Sequence, residues 1–457
     1  MELLSKLGAG VTTNRRIFWA TASVALASLA VLAVSTIKEL AVAQWFGRQD
    51  ALDAFLIAYV LPAFVVNIAG GSFSSAVVPT FIEVRSAEGS QAAQRLFSGV
   101  LVWSLMLLAG LAVLLGVFAP YYLPLLGSGF SAAKLALTRQ LLYTLLPFVV
   151  LSGVAATCTA ILNAGERFAL PALAPGLVPL GAVVFLWTLG RAWGIMALAA
   201  GTVVGAMIQA AILVWMLRAR SMKLGLGWYP LDSALRRVAG QYAPMAAGAL
   251  LMGTTDLVDQ AMAAMLPPGS VAALNYARKI VSVSIVLGAV PLSTAALPYF
   301  SEMTANRDWA GCRHTLKTYS RLIVAITVPI TAVLVLFPRP LVGILFERGA
   351  FSVPDTAVVS HVEAWLALQI PFYLLCSLGV RLISALKRNA VLMTISAVNT
   401  MLNVALNWVL MKHYGVAGIA LSTSIVYCVA CALVFASIGA MMKRMETKGT
   451  GDGDGRL

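Results

Sequence analysis

The sequence predicts an all-α polytopic membrane protein of about twelve transmembrane helices, arranged as two six-helix pseudo-repeats in the manner of a two-lobed transporter. Three observations predict it. Of the 457 residues, 60% are hydrophobic and only 11% charged, and the mean hydropathy is +0.89, well above the range of water-soluble domains. Apolar runs of about 20 or more residues recur along the whole chain, each able to cross a hydrocarbon core about 30 Å thick as a helix. Segments of the first half return in the second at offsets of about 219 to 224 residues.

The first run follows Lys6, Arg15 and Arg16 and continues from Ile17 to Phe46. A cleaved signal peptide carries an apolar core of only about 7–15 residues, so this run reads as the first span. Five more spans follow at about 54–82, 97–120, 138–163, 168–190 and 192–217. The second half offers spans at about 239–266, 271–301, 318–338, 357–385, 390–411 and 415–442. Three matches tie the halves together: "SSAVVPTFIE" (74–83) with "STAALPYFSE" (293–302), "LPF" (146–148) with "IPF" (370–372), and "GIMALAAGT" (194–202) with "GVAGIALST" (415–423). The repeat is therefore parallel, with lobes at 1–220 and 239–442. Residues 221–238 are expected to be a basic linker, and the Gly-rich stretch 443–457 a disordered tail.

A formal charge of +14 invites a nucleic-acid reading, but the basic residues lie in short loops between apolar runs. With a cytoplasmic N-terminus, the inside segments collect 21 Lys and Arg against 7 outside, so both termini are expected in the cytoplasm. The cysteines Cys158, Cys312, Cys376, Cys428 and Cys431 mostly sit inside apolar runs, where they behave as small hydrophobes, and imply no disulfide framework.

Charges inside spans are rare because each costs about 2.5–3.5 kcal/mol at mid-membrane on insertion scales. Lys38 and Glu39 lie about seven residues inward of Trp45, itself suited to an outer-interface anchor. Span seven ends at "PPG" (267–269), which puts Asp256 and Asp259 at a similar depth, and span eight brings Arg278 and Lys279 level with them. These six residues are expected to form a charge-balanced belt in the outer half of a transport cavity, its cations able to re-pair with an anionic head group such as a diphosphate. Asp53 is expected at the rim. Paired charges that fix helix register, or long side chains reaching the interface, are the competing reading, and for Arg381 the favoured one.

Asn399, Asn403 and Asn407 fall on one helical face. With Asp256 or Asp259 and Thr423 they offer oxygens for a hard cation such as Na⁺, and hydrogen bonding between helices is the alternative. No P-loop, HExxH or GxSxG motif is present, and the three histidines lie apart. The chain is thus expected to be no enzyme and to hold no cofactor, with transport driven by an ion gradient (Na⁺ or H⁺), the membrane potential or the substrate gradient.

The run "KELAVAQWFGRQDALDAFLIAYVLP" (38–62), "GGSFSSAVVPTFIE" (70–83), "NYARKI" (275–280) and "LFERGAFS" (345–352) resemble the MurJ/MviN lipid flippases of the multidrug/oligosaccharidyl-lipid/polysaccharide exporter superfamily. The resemblance implies a V-shaped, two-lobed transporter of the bacterial inner membrane. It would flip an undecaprenyl-diphosphate-linked glycan to the outer leaflet by alternating access, alongside polysaccharide or cell-wall assembly proteins. It implies that Lys38, Glu39 and Lys279 surround the diphosphate, at positions where lipid II flippases carry Arg, Asp and Arg. It also implies a sodium site at Asp256 or Asp259, Asn399, Asn403 and Thr423. The cargo is expected to be an exopolysaccharide repeat unit or a lipid II-type precursor, and a cation-coupled drug exporter of the same superfamily is the alternative.

Overall fold

A computed structural model of the chain describes residues 2–165, 168–219, 233–306, 308–386 and 388–451. Among these there are helices and turns and no strand. The first half contains α1 (Glu2–Phe46), α2 (Asp50–Ala87), α3 (Ser90–Leu126), α4 (Ala132–Ala164), α5 (Ala169–Leu173), a 3-10 turn (Ala174–Gly176), α6 (Leu177–Trp193) and α7 (Ile195–Arg218). The second contains α8 (Ser233–Ala264), α9 (Ser270–Ala305), α10 (Trp309–Leu336), α11 (Pro338–Phe346), α12 (Val353–Ala367), α13 (Gln369–Ala385), α14 (Asn389–Tyr414) and α15 (Val416–Gly451).

Ten helical segments among the described residues are long and apolar enough to cross a membrane. The helices that carry predicted spans seven and eight, α8 and α9, are 32 and 36 residues long. The chain is thus a multi-pass membrane protein. Its large apolar side chains point outward as well as inward: Leu107, Val113, Val117 and Phe118 of α3 and Leu322, Ile326 and Val333 of α10 are all exposed, as lipid-facing surfaces require.

Several boundaries differ from the sequence expectation. α3 spans 37 residues, about 55 Å at 1.5 Å per residue, so it outruns the hydrocarbon layer that hydropathy senses. Predicted span ten breaks into α12 and α13 at Leu368, two residues before Ile370 and Pro371, whereas the matching Pro147 sits inside the unbroken α4. The 3-10 turn likewise interrupts span five at Pro175, because proline donates no backbone hydrogen bond. α11 was not anticipated. Of the expected linker, residues 221–232 lie outside the described residues, and α8 opens at Ser233. α15 runs on to Gly451, so helix enters the tail expected to be disordered.

The chain divides into two compact units, one of residues 1–46 with 50–250 and the other of 47–49 with 251–457. Within the first, α6 and α7 pack through glycines. Gly201 and Gly205 form a small-xxx-small face on α7, and a Cβ on Gly205 would lie 2.5 Å from the Leu177 carbonyl oxygen and 2.7 Å from Val178 Cα. Lipid offers little hydrophobic drive for helix association, so such close backbone approach supplies the dispersion contacts instead. Both obstacles are backbone atoms and cannot swing aside. Gly205→Ala is expected to destabilise the protein by about 1–3 kcal/mol, read as a lower thermal unfolding midpoint in detergent. Gly110→Ala, which meets open space, should not lower it.

The repeat is visible in local geometry. Gly194 and Gly415, 221 residues apart, both adopt positive φ (54° and 58°), and their N–H groups donate to the carbonyls of Gly190 and Met411, each at 2.9 Å. Thr202 and Thr423, at the same offset, donate back to Leu198 and Ile419 at 2.8 and 3.0 Å.

Candidate functional site

In the first unit, Lys38 Nζ lies 2.8 Å from Glu39 Oε1, with the lysine side chain 24% exposed and the glutamate 5%. Glu39 is buried and Lys38 retains access, so the pair presents a cation. Trp45, about two turns beyond Lys38, packs against α6: a Cβ on Gly190 would meet its ring at 3.0 Å.

Asp53 does not stand at an open rim. It is 1% exposed and lies 3.0 Å from Lys134 Nζ, which also reaches Asp50 at 2.6 Å and sits 4.0 Å from the Phe130 ring centroid. Lys134 looked like an ordinary loop cation in the sequence. The signal available was Asp50 and Asp53, one turn apart at the start of α2, which together attract a buried ammonium.

The second unit holds the other charged group. Arg278 of α9 contacts Asp259 of α8 through Nη2 in a short hydrogen bond and reaches Asp256 Oδ1 through Nη1 at 3.2 Å. The Asp259 side chain is wholly buried, whereas that of Asp256 is 78% exposed. Asn403 and Asn407 of α14 donate to Asp259 Oδ1 at 3.1 and 2.6 Å, and Thr423 of α15 reaches Oδ2 at 3.3 Å. Asn407 also donates to Asn403 Oδ1 at 3.3 Å. Lys279, next to Arg278, points to the exposed side.

Of the five residues expected to form a cation site, the structure gathers Asp259, Asn403 and Thr423 around one carboxylate. Asp256 joins only through Arg278. Asn399 does not take part, its buried Oδ1 having no hydrogen-bond partner, and Asn407 occupies the place assigned to it. The helical row was legible in the sequence; which of its three members would face Asp259 was not.

The residues present do not fit a sodium ion. A hard cation needs about six or more oxygen ligands, but both oxygens of Asp259 already face N–H or O–H donors, one of them a guanidinium. A second unit charge about 4 Å from Arg278 would meet a repulsion of about 4 kcal/mol at an effective dielectric constant near 20. Glu363 of α12 is buried with no hydrogen-bond partner at either oxygen, and Arg381 is half-buried, its Nε without a partner.

Parts of three of the segments that carry the resemblance also meet in this unit. Gly47 has φ +49°, and its carbonyl accepts from Tyr276 Oη at 3.0 Å. Arg48 donates to the Gly269 carbonyl at 3.1 Å and lies 3.4 Å from Asp355 Oδ1. Tyr276 packs on Phe346 and Phe351 with ring centroids 5.0 and 5.3 Å away. The "FGRQ" turn, "NYARKI" and "RGAF" thus form one clasp, with its glycine backbone and aromatic rings fixed by shape.

A family model described as "Lipid II flippase MurJ" matches residues 42–449. The chain belongs to the MurJ family. Among its relatives, a protein of Synechocystis sp. named "Probable lipid II flippase MurJ" is 28% identical over 419 residues, covering 88% of this chain and 77% of that protein. The "Lipid II flippase MurJ" of Burkholderia cenocepacia is 26% identical over 342 residues, covering 72% and 65%. The fold is that of a solved structure of a MurJ lipid II flippase in an inward closed conformation, with TM-score 0.80, 22% identity, and coverage of 91% of this chain and 87% of the other. An inward-facing MATE multidrug transporter of the MOP superfamily shares it at TM-score 0.76 and 14% identity, with 92% and 99% covered. MurJ membership thus agrees with the two-lobed helical architecture read from the sequence.

Proposed function

We propose that this MurJ-family protein translocates a polyprenyl-diphosphate-linked glycan from the cytoplasmic to the outer leaflet of the bacterial inner membrane. Family membership across residues 42–449 carries this reading. The chemistry of each unit supports it: Lys38 in the first and Lys279 in the second are accessible cations set within hydrophobic helices, where a diphosphate gains charge-assisted hydrogen bonds at low local dielectric. Glu39 holds Lys38 oriented until the head group replaces it. Arg278 is committed to Asp259 and Asp256, so it acts as a support beside Lys279 and not as the first contact. The cargo is an exopolysaccharide repeat unit or a lipid II-type precursor, which share the diphosphate that the lysines recognise.

The test reconstitutes the protein in vesicles carrying lipid II or an undecaprenyl-diphosphate-linked oligosaccharide and follows appearance of the glycan on the opposite leaflet. Lys38→Ala and Lys279→Ala are each expected to slow translocation about tenfold or more, since a charged hydrogen bond contributes about 1.5–3 kcal/mol. Both should leave membrane insertion intact. Full activity of the double substitution would remove the diphosphate-binding role. Efflux of a small organic cation without glycan flipping would favour the exporter reading.

A further inference from the structure

We infer that Arg278 is a tethered cation, occupying permanently the place that a bound sodium ion would take beside Asp259, so that the second unit folds and works without sodium. Three observations carry this. First, the only buried carboxylate in the cluster is Asp259, and the guanidinium of Arg278 lies against its Oδ2 while its Oδ1 accepts from two amides. Asp256, the other carboxylate on Arg278, is largely exposed, so water solvates what the guanidinium leaves uncompensated. Second, Asn403 and Asn407 present N–H groups to Asp259, the polarity that a carboxylate needs and the opposite of what a metal ion needs. Thr423 has one hydroxyl proton, shared between Asp259 and the nearer Ile419 carbonyl at 3.0 Å. Third, the repeat isolates the feature. At the offset of 221 residues shared by Gly194 and Gly415, Asn403 corresponds to Ala182 and Asn407 to Leu186, while Thr423 keeps its threonine at Thr202. The hydroxyl is common to both halves and serves the helix backbone in each. The polar cluster exists only where Arg278 exists to neutralise it.

A guanidinium fixed by its own chain cannot leave, exchange or respond to a gradient. Binding of sodium therefore contributes nothing to the stability of this lobe, and a sodium gradient does not drive its cycle through Asp259. Removing the guanidinium would uncover a buried carboxylate ringed by two amides, which can turn their oxygens inward, and a hydroxyl. A latent cation site should then appear.

The experiment measures thermal unfolding of the full chain in detergent in sodium chloride against choline chloride at equal ionic strength. Saturable binding of radioactive sodium is measured alongside. The natural protein is expected to show the same midpoint in both salts and no saturable binding. Arg278→Ala is expected to gain a sodium-specific rise of several degrees, and adding Asp259→Asn to it should abolish that rise. Sodium-specific stabilisation or saturable binding in the natural protein would overturn the inference, as would a folded Arg278→Ala that shows no sodium response. If Arg278→Ala cannot be purified in either salt, sodium binding by the natural protein decides alone: none supports the inference and saturable binding overturns it. Neither readout involves glycan translocation, so the inference stands or falls separately from the cargo.

Discussion

Asp259→Ala is expected to lower the stability of the protein by about 3 kcal/mol or more. Breaking a buried ion pair by removing one partner costs about 3–5 kcal/mol, because the surviving charge keeps its desolvation penalty without its compensation. Here the survivor is Arg278, whose side chain is 21% exposed and which keeps the exposed Asp256 as second partner, so the lower end of that range applies to the charge itself. The amide groups of Asn403 and Asn407 lose their common acceptor as well, and a buried unsatisfied donor costs about 1–3 kcal/mol. The measurement is a double-mutant cycle in thermal or denaturant unfolding. Arg278→Leu added to Asp259→Ala should recover much of the loss, since an apolar pair can replace an ion pair in a buried site. A double variant as unstable as the sum of the singles would show that the two residues are not coupled.

Gly47→Ala is expected to be as damaging, through shape alone. The residue sits at φ +49°, a conformation whose cost for an L side chain is about 1–3 kcal/mol. A Cβ there would stand 2.3 Å from the carbonyl oxygen of Ala350 and 2.8 Å from its carbon. Those are backbone atoms of the "RGAF" turn, itself bent at Gly349 with φ +59°. Relief would require the turn to move off the Tyr276, Phe346 and Phe351 cluster, adding an overpacking cost of about 1–3 kcal/mol. Loss of the Tyr276 to Gly47 hydrogen bond would follow. The midpoint of thermal unfolding should fall well below that of Gln49→Ala, a change two residues away at an exposed position, which serves as control. An unchanged midpoint for Gly47→Ala would mean that the clasp is not rigid.

The part these motifs play in the clasp is not encoded in their linear order. Read linearly, "QWFGRQD" flanks Lys38 and Glu39 and looks like the edge of a binding segment. In three dimensions Gly47 and Arg48 belong with residues more than two hundred positions away, at Gly269, Tyr276, Ala350 and Asp355. The chemistry around them is that of backbone hydrogen bonding and aromatic packing. Lys279, the exposed candidate cation of this unit, lies three residues beyond Tyr276 on the same helix. Asp53 teaches the same lesson in the first unit: a carboxylate at a helix start reads as exposed until a lysine from α4 is found against it.

What the sequence determined by itself is everything set by local solvation and by its own repetition. A continuous apolar run of about 20 residues lies in hydrocarbon as a helix, because a helix satisfies every backbone N–H and C=O within the segment. Membrane class and helix count to first order follow from that rule, the parallel repeat from the matched segments, and the unusual status of Lys38, Glu39, Asp256, Asp259, Arg278 and Lys279 from the cost of charge in hydrocarbon. Tertiary structure alone decided which charge meets which. Helical spacing put Asn399, Asn403 and Asn407 on one face, but only the packing of α14 against α15 and α8 selected Asn403 and Asn407 for Asp259 and left Asn399 aside. Likewise, depth along a helix made Arg278 and Lys279 equivalent, yet the rotation of about 100° between adjacent helical residues turns the first against Asp259 and leaves the second exposed. Pairing of buried charges depends on distances of a few ångströms between helices far apart in the chain, and no periodicity within a single helix encodes them.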